Sequence, residues 1–262
     1  MPKSPTADWT PDSPSPAQLK EFFAQIASGR ITGVNLQKFL SGQFELTPIA
    51  RNMEKYVLAV EMARQILGDD LIFPTEIFRF RGLLYSHEQL RHLYSTLPSE
   101  EVLTWCKANG YAVVAGPPTP KGLLDIWSLN PQLFYSKTEK DSWYWKDDQT
   151  FSRRDKVGCQ WLAIRKDIVP NSTSKSFANQ QALLQREEQV PNIAEFTWFV
   201  TTYAEVRKVR LFANVYARTS SVTAPGFRVS SGRFFAVGLG VYDLWVGSPA
   251  SDIGVASALK LA

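Results

Sequence analysis

The chain holds few of the residues from which catalytic and metal centres are usually built. Its 262 residues include only two cysteines and two histidines. Cys106 and Cys159 are far apart and lack CxxC spacing, so a cysteine zinc motif is excluded. We expect both to be free, buried thiols, and a single disulfide is the alternative.

The histidines do not form a metal motif either. His87 and His92 belong to the sequence HEQLRH, which is HExxxH rather than HExxH. Residues five apart on a helix differ by about 140° around its axis, so these two cannot face one metal ion. The sequence also contains no GxSxG elbow and no P-loop. We therefore expect no catalytic residue, metal ligand or cofactor, and no enzymatic activity.

No apolar run approaches 18 residues, so no membrane-spanning helix is expected. Residues 1–15 are rich in proline and serine and lack the apolar stretch of a secretory signal. This composition predicts a disordered tail. The expected location is cytoplasmic, and a virion or cell surface reached by an unseen route is the alternative.

The charge is mildly basic, with a net charge of +4 and a pI of about 9.0. Basic residues are densest at 153–156 and at 207–210, and both groups are too short to be nucleic-acid arms. The aromatic stretch SWYWK at 142–146 resembles a strand more than a base-stacking platform. Nucleic acid is therefore not the expected partner, although a basic scaffold remains an alternative.

Helix signals dominate the first half of the chain, and residues 16–68 are predicted to form a helical N-terminal segment. An apolar face repeats at helical spacing and consists of Leu19, Phe22, Phe23 and Ile26. A short helix is predicted at 34–40. The strongest helix, at 46–70, has Thr47 as cap, Pro48 as its first residue and Gly68 at its end.

Residues 69–262 mix helices and strands. Alternation at 77–81 predicts a strand. Ser99 caps a helix that ends at Gly110, and strands are predicted at 111–115, 142–145 and 158–166. Further helices are predicted after Thr119 as cap, at 178–187 and at 192–210. The last has an apolar face of Ile193, Phe196, Phe199, Val200, Tyr203 and Val206. Beyond Leu211 only strands and loops follow, which indicates an α+β fold.

The 51 residues from 209 to 259 have an unusual composition. Lys, Glu, Gln and Met occur 43 times in the chain but not once from 209 to 259. Strands disfavour Lys, Glu and Gln, which explains part of this bias. That explanation fits less well for the polar loop VGSPASD at 246–252, where such residues would be welcome.

Codon chemistry offers a sharper explanation. If the two adenines of an Asn codon are replaced at random, every residue of 242–244 and 246–252 can arise. Lys, Glu, Gln, Met and Trp cannot. The pattern is that of a randomised loop around one fixed residue, Trp245.

On these residues the chain resembles the variable proteins of diversity-generating retroelements, which carry a C-type-lectin, formylglycine-generating-enzyme-like fold. The ending LFANVYARTSSV…SGRFFAVGLGVYDLWVGSPASDIGVASALK is similar to that of the family. SEEVLTWCKANGYAVVAGPPTPKGLLDI and CQWLAIRK resemble its helix–strand opening and core strand. The resemblance implies a C-type-lectin-like domain at 69–262, made of helices and short antiparallel strands, with a variable region at about 232–260.

The resemblance also divides the ending into framework and variable positions. The framework positions are Gly238, Leu239, Val241, Trp245, Ile253 and Gly254, with Trp245 as an anchor at the base of the loop. The implied ligand-binding residues are Gly240, Tyr242, Asp243, Leu244, Trp245, Val246, Gly247, Ser248, Pro249, Ala250, Ser251 and Asp252. Leu259 departs from the pattern, since an arginine is expected there.

The implied function is non-enzymatic binding of a protein or glycan through this C-terminal surface, with Tyr242 giving most of the contact area. Three alternatives stay open. One is an oxidase related to formylglycine-generating enzymes, which would need cysteines at its active centre. Another is a basic scaffold or nucleic-acid-binding protein, and the third is an ordinary terminal hairpin. The oligomeric state is open as well.

The codon argument predicts a near-copy of the codons for about residues 232–258 in the neighbouring DNA, close to a reverse transcriptase gene. The two copies should differ almost only at adenines of the copy, because adenine-directed replacement changes no other base. Sequencing the flanking DNA tests this, and a flank without such a copy contradicts the retroelement interpretation.

Overall fold

A computed structural model describes residues 16–28, 32, 37, 48–140 and 142–261. The chain divides into two compact units, Met1–Glu54 and Lys55–Ala262. The helices described are α1 Pro16–Ala27, α2 Pro48–Leu67, α3 Pro74–Arg81, α4 His87–Ser95, α5 Glu100–Ala108, α6 Leu123–Leu129, α7 Phe151–Arg154, α8 Phe177–Gln181 and α9 Ile193–Arg207. Short 3₁₀ turns lie at Gly68–Asp70, Pro131–Leu133 and Trp143–Trp145.

Two sheets accompany the helices, so the fold is α+β as predicted. The strands are β1 Leu71–Ile72, β2 Tyr111–Ala115, β3 Trp161–Arg165, β4 Glu188–Gln189, β5 Tyr216–Val222, β6 Arg228–Phe235, β7 Gly238–Leu244, β8 Ile253–Val255 and β9 Ala258–Leu259. The first sheet has the order β1-β2-β3-β9-β4 and the second β7-β6-β5-β8. The β1–β2 and β5–β8 pairs are parallel, and the other pairs are antiparallel.

Helix α9 forms the centre of the core, and its predicted apolar face is buried throughout. The helix is also buried on its other sides, which a one-faced pattern did not predict. Its buried threonines are tolerated because their hydroxyls donate to carbonyls four residues back, as Thr197 does to Ile193 O at 2.7 Å. Trp198 donates from Nε1 to Ala115 O at 3.0 Å and so connects α9 to β2.

Several predicted elements are confirmed. Helix α2 begins at Pro48 and ends before Gly68, whose φ of 56° is left-handed. Ser99 caps α5 by accepting from Val102 N, and β2 and β3 lie within the predicted strands. Helix α1 matches the first helical signal. The predicted tail, Thr47 and the helix at 34–40, apart from Gln37, lie outside the described residues.

The strand predicted at 77–81 is wrong, since these residues end helix α3. Pro74 at the first helical position favours a helix start, and Glu76 accepts from Phe73 N at 3.0 Å. Gly82, with φ 68°, ends the helix in a left-handed conformation. The alternation does not correspond to a buried face, since Ile77 is buried while Phe78 and Phe80 are both exposed.

Three further boundaries differ from the predictions. Helix α6 begins at Leu123 rather than behind Thr119, because Lys121 pairs with Val157 through two backbone hydrogen bonds and is extended. Residues 143–145 form a 3₁₀ turn and not a strand. Helix α8 spans 177–181, whereas the prediction was 178–187.

Close packing at the end of β2 gives a test of the fold. A Cβ built on Gly116 would lie 1.9 Å from Gly158 O, a backbone atom, whereas a Cβ on Gly158 would meet nothing within 4 Å. We expect Gly116→Ala to lower the free energy of unfolding by about 3 kcal/mol, the upper end of overpacking costs. Gly158→Ala is the matched control and should change it by less than about 0.5 kcal/mol. Urea unfolding measures both, and equal stabilities would contradict the packing.

Candidate functional site

The two faces of the second sheet have different surroundings. Arg218 on β5 lies opposite Ser230 on β6, which lies opposite Tyr242 on β7. Directly paired residues share one face of a sheet. The alternate residues, such as Ala217 and Val229, point to the other face and belong to the main core. The face with Arg218 and Tyr242, called the loop face here, carries Gly240, Tyr242 and Leu244 of the predicted site, whereas Asp243 pairs with Val229 on the other face.

The predicted variable loop, residues 245–252, connects β7 at one edge of this sheet to β8 at the other. Four of its carbonyl oxygens, two residues apart, accept hydrogen bonds: those of Val246, Ser248, Ala250 and Asp252. The donors, in the same order, are Phe177 N at 2.9 Å, Arg218 Nη2 at 2.6 Å, Ser174 N at 2.8 Å and Tyr216 N at 2.9 Å. The loop is therefore held through its main chain.

Side-chain exposure in the loop alternates in step with these bonds. The residues at 245, 247, 249 and 251 are exposed, and those at 246, 248, 250 and 252 are half-buried. Hydrogen bonds to backbone carbonyls do not depend on which side chain the residue carries. The loop can thus present different side chains at every second position without losing these contacts.

Trp245, predicted as a fixed anchor at the base of the loop, is an exposed residue in the structure. Its side chain is 55% exposed and touches Phe227 edge-on, with ring centroids 5.8 Å apart. Arg218 anchors the loop instead. It is fully buried, and Nη1 donates to Lys175 O at 3.0 Å and to Gln180 Oε1 at 2.9 Å. No sequence signal marked Arg218, because its burial arises only when loop and sheet meet.

Gln180 extends this network to Ser172, which precedes α8, and to Ile253, the first residue of β8. Its Nε2 donates to Ser172 O at 2.8 Å and to Ile253 O at 3.0 Å. A small apolar cluster packs beside it and consists of Val169, Phe177 and Val255, with Val246 of the loop against them. The loop is therefore fixed by polar and apolar contacts together.

Two arginines of the loop face, the buried Arg218 and the half-buried Arg228, have no carboxylate partner among the described ion pairs. Burial lowers the pKa of Arg218 and of Arg228, although a guanidinium stays protonated in proteins. Arg228 lies 4.4 Å above the Phe177 ring, a cation–π contact. Neutral oxygens and an aromatic face thus stabilise the two charges.

The predicted binding residues are accessible. Gly240 and each residue from 242 to 252 are exposed or half-buried, and Tyr242 is 48% exposed. Burial raises the pKa of Asp243. Among the framework residues, Gly238, Leu239, Ile253 and Gly254 are buried.

Tyr242 also borders a groove of about 440 Å³ between β7 and the segment 135–144. We call it the aromatic groove, and its aromatic lining residues are Tyr135, Trp143, Tyr144, Tyr216, Phe235 and Tyr242. The Tyr216 and Tyr242 ring centroids are 5.9 Å apart. Arg233 lies 5.6 Å over Tyr216 and forms an ion pair with Asp252 at 2.6 Å. Of the lining residues the sequence predicted only Gly240 and Tyr242 as ligand-binding residues. Tyr135 and Trp143 lie far from them along the chain, so no local pattern brings the two walls together.

The other sequence candidates lie elsewhere. His87 and His92 occur on α4, and no group of potential metal ligands occurs among the residues that the structure describes. Both cysteines are free, and burial raises the pKa of Cys106 to about 12, which opposes thiolate formation. Arg154 pairs with Asp155 at 2.8 Å. No described helix is long and apolar enough to cross a membrane.

No protein-family model, curated protein or solved structure matches the chain.

The anchoring of the loop predicts which substitutions it tolerates. Arg218→Met leaves three oxygens without their charged donor, and we expect a loss of about 2–4 kcal/mol in the free energy of unfolding. Ser251→Asn, at an exposed loop position, should change it by less than about 0.5 kcal/mol. Urea unfolding compares the two variants. If Arg218→Met were as stable as Ser251→Asn, Arg218 would not hold the loop.

Proposed function

We propose that this chain is a non-enzymatic ligand-binding protein that displays a diversified C-terminal surface on a C-type-lectin-like domain, as a variable protein of a diversity-generating retroelement. One observation carries the proposal. The loop at 245–252 is held by its main chain, and its side chains are exposed at every second residue. Such a loop can change the exposed side chains at every second position without changing its path.

The composition of the ending agrees with this arrangement. The residues of 246–252 all belong to the set that randomised adenines of an Asn codon can produce, and this stretch forms the held loop. The buried framework residues Leu239 and Ile253 belong to β7 and β8, the strands before and after the loop. Stability then depends on the strands and on Arg218, and recognition depends on the exposed side chains.

The ligand in this proposal is a protein or a glycan. Tyr242 and Trp245 are both about half exposed, and large aromatic side chains give contact area with few rotatable bonds. Trp245 cannot arise from an adenine-replaced Asn codon. It therefore acts as a constant aromatic contact at the base of a changing loop.

Natural variation of the gene tests the proposal. In many clones from one source population, we expect amino-acid changes to concentrate at 240, 242–244 and 246–252, most often at the exposed positions 242, 247, 249 and 251. Arg218, Gln180 and Trp245 should stay constant, because the first two hold the loop and the third has an unreachable codon. Amplicon sequencing of codons 200–262 measures this. Amino-acid changes spread evenly over codons 200–262, or the absence of any change, would contradict the proposal.

A further inference from the structure

The aromatic groove is open to solvent and lined by rings on both sides. Tyr135 on one wall is 67% exposed, and Tyr242 and Phe235 on the other are nearly half exposed. Its volume of about 440 Å³ lies within the range of ~300–1,000 Å³ that is typical of small-molecule sites. Exposed rings of this number around one concavity are characteristic of a binding site.

The two walls differ in how far they can vary. Tyr242 and Gly240 belong to the positions proposed to be diversified. Tyr135 and Trp143 lie about 90 residues before the variable region and outside the stretch that lacks Lys, Glu, Gln and Met. The groove therefore joins a constant wall to a variable wall, so one part of its recognition is the same in every variant.

An added peptide strand does not fit the groove. The carbonyls of Leu239 and Val241 on edge strand β7 already accept hydrogen bonds, from Tyr135 N at 2.9 Å and from Trp143 Nε1 at 2.9 Å. Strand addition needs these main-chain groups. A ligand in the groove must therefore be recognised through side chains.

The charges at the groove favour a neutral, hydroxyl-rich ligand. Arg233 is paired with Asp252, and both side chains remain about 40% exposed, so a donor and an acceptor stand side by side with little net charge. Lys137 lies nearby, but its Nζ donates to Gln132 O, Phe134 O and Val237 O at 2.6–2.9 Å. A hydroxyl group, which both donates and accepts, matches the Arg233–Asp252 pair better than an anion does.

We infer that the aromatic groove binds a neutral oligosaccharide, with pyranose rings against Tyr135 and Tyr242 and hydroxyl groups at the Arg233–Asp252 pair. The C–H faces of a pyranose ring are slightly positive and match the negative face of an aromatic ring. The inference rests on the proposed function and assigns it a ligand class. The constant wall selects sugars in general, and the variable wall and loop select among them.

Ligand-detected NMR titrations with maltotriose, cellotriose and mannotriose test this on the full chain. We expect saturable binding of at least one trisaccharide. Tyr135→Ala should weaken it about tenfold, because a stacking face is lost, and Tyr135→Phe should keep it within about twofold. Leu84→Ala is the control, since Leu84 is 75% exposed and does not line the groove.

Each other result overturns the inference. These results are no binding of any trisaccharide, equal affinity of Tyr135→Ala and the unchanged chain, or an octaproline peptide that displaces the sugar and binds more tightly. The proposed function is judged separately by codon variation. If codons vary as expected but no sugar binds, the proposed function stands and the sugar inference fails. If a sugar binds and the codons do not vary, the groove is a sugar site and the proposed diversification fails.

Discussion

The buried guanidinium of Arg218 is the contact on which the C-terminal surface depends. It projects from the loop face of the second sheet and donates to three oxygens, one of them the Ser248 carbonyl in the middle of the loop. Burying a charge is costly unless hydrogen bonds satisfy it, so the three acceptors and the position of the loop stabilise each other. Because the loop contributes a backbone oxygen, this contact does not constrain the side chain of Ser248.

The sheet separates folding from recognition by its two faces. One face contributes Ala217 and Val229 to the main core, next to the buried helix α9. The other face supports the loop and, at its other end, the aromatic groove. The two faces alternate along each strand, so substitutions on the loop face leave the core contacts in place. Under the proposed function, this independence lets surface residues change while the core contacts stay in place.

Residues 77–81 and Trp245 differ from their predictions for physical reasons. The alternation at 77–81 fits a strand, but these residues form a helix. Pro74 and Glu76 stabilise its start and Gly82 its end, and these caps outweigh the alternation. Trp245 was interpreted as an anchor because its codon cannot arise from randomised adenines and because it matches a framework position of the resemblance. In the structure the anchor is an arginine, a residue that is rarely buried and that no pattern would select.

Local signals in the sequence determined the helices and strands with clear caps and glycines, among them α2, α5 and β2. The same local signals indicated the α+β class, because helix and strand patterns depend on neighbouring residues. The unusual composition of residues 209–259 is visible in the sequence itself. Only the tertiary structure decided which face of the second sheet carries Arg218, how the loop is held, and that Tyr135 meets Tyr242 across a groove. These features join residues dozens of positions apart, and no local pattern encodes such distances.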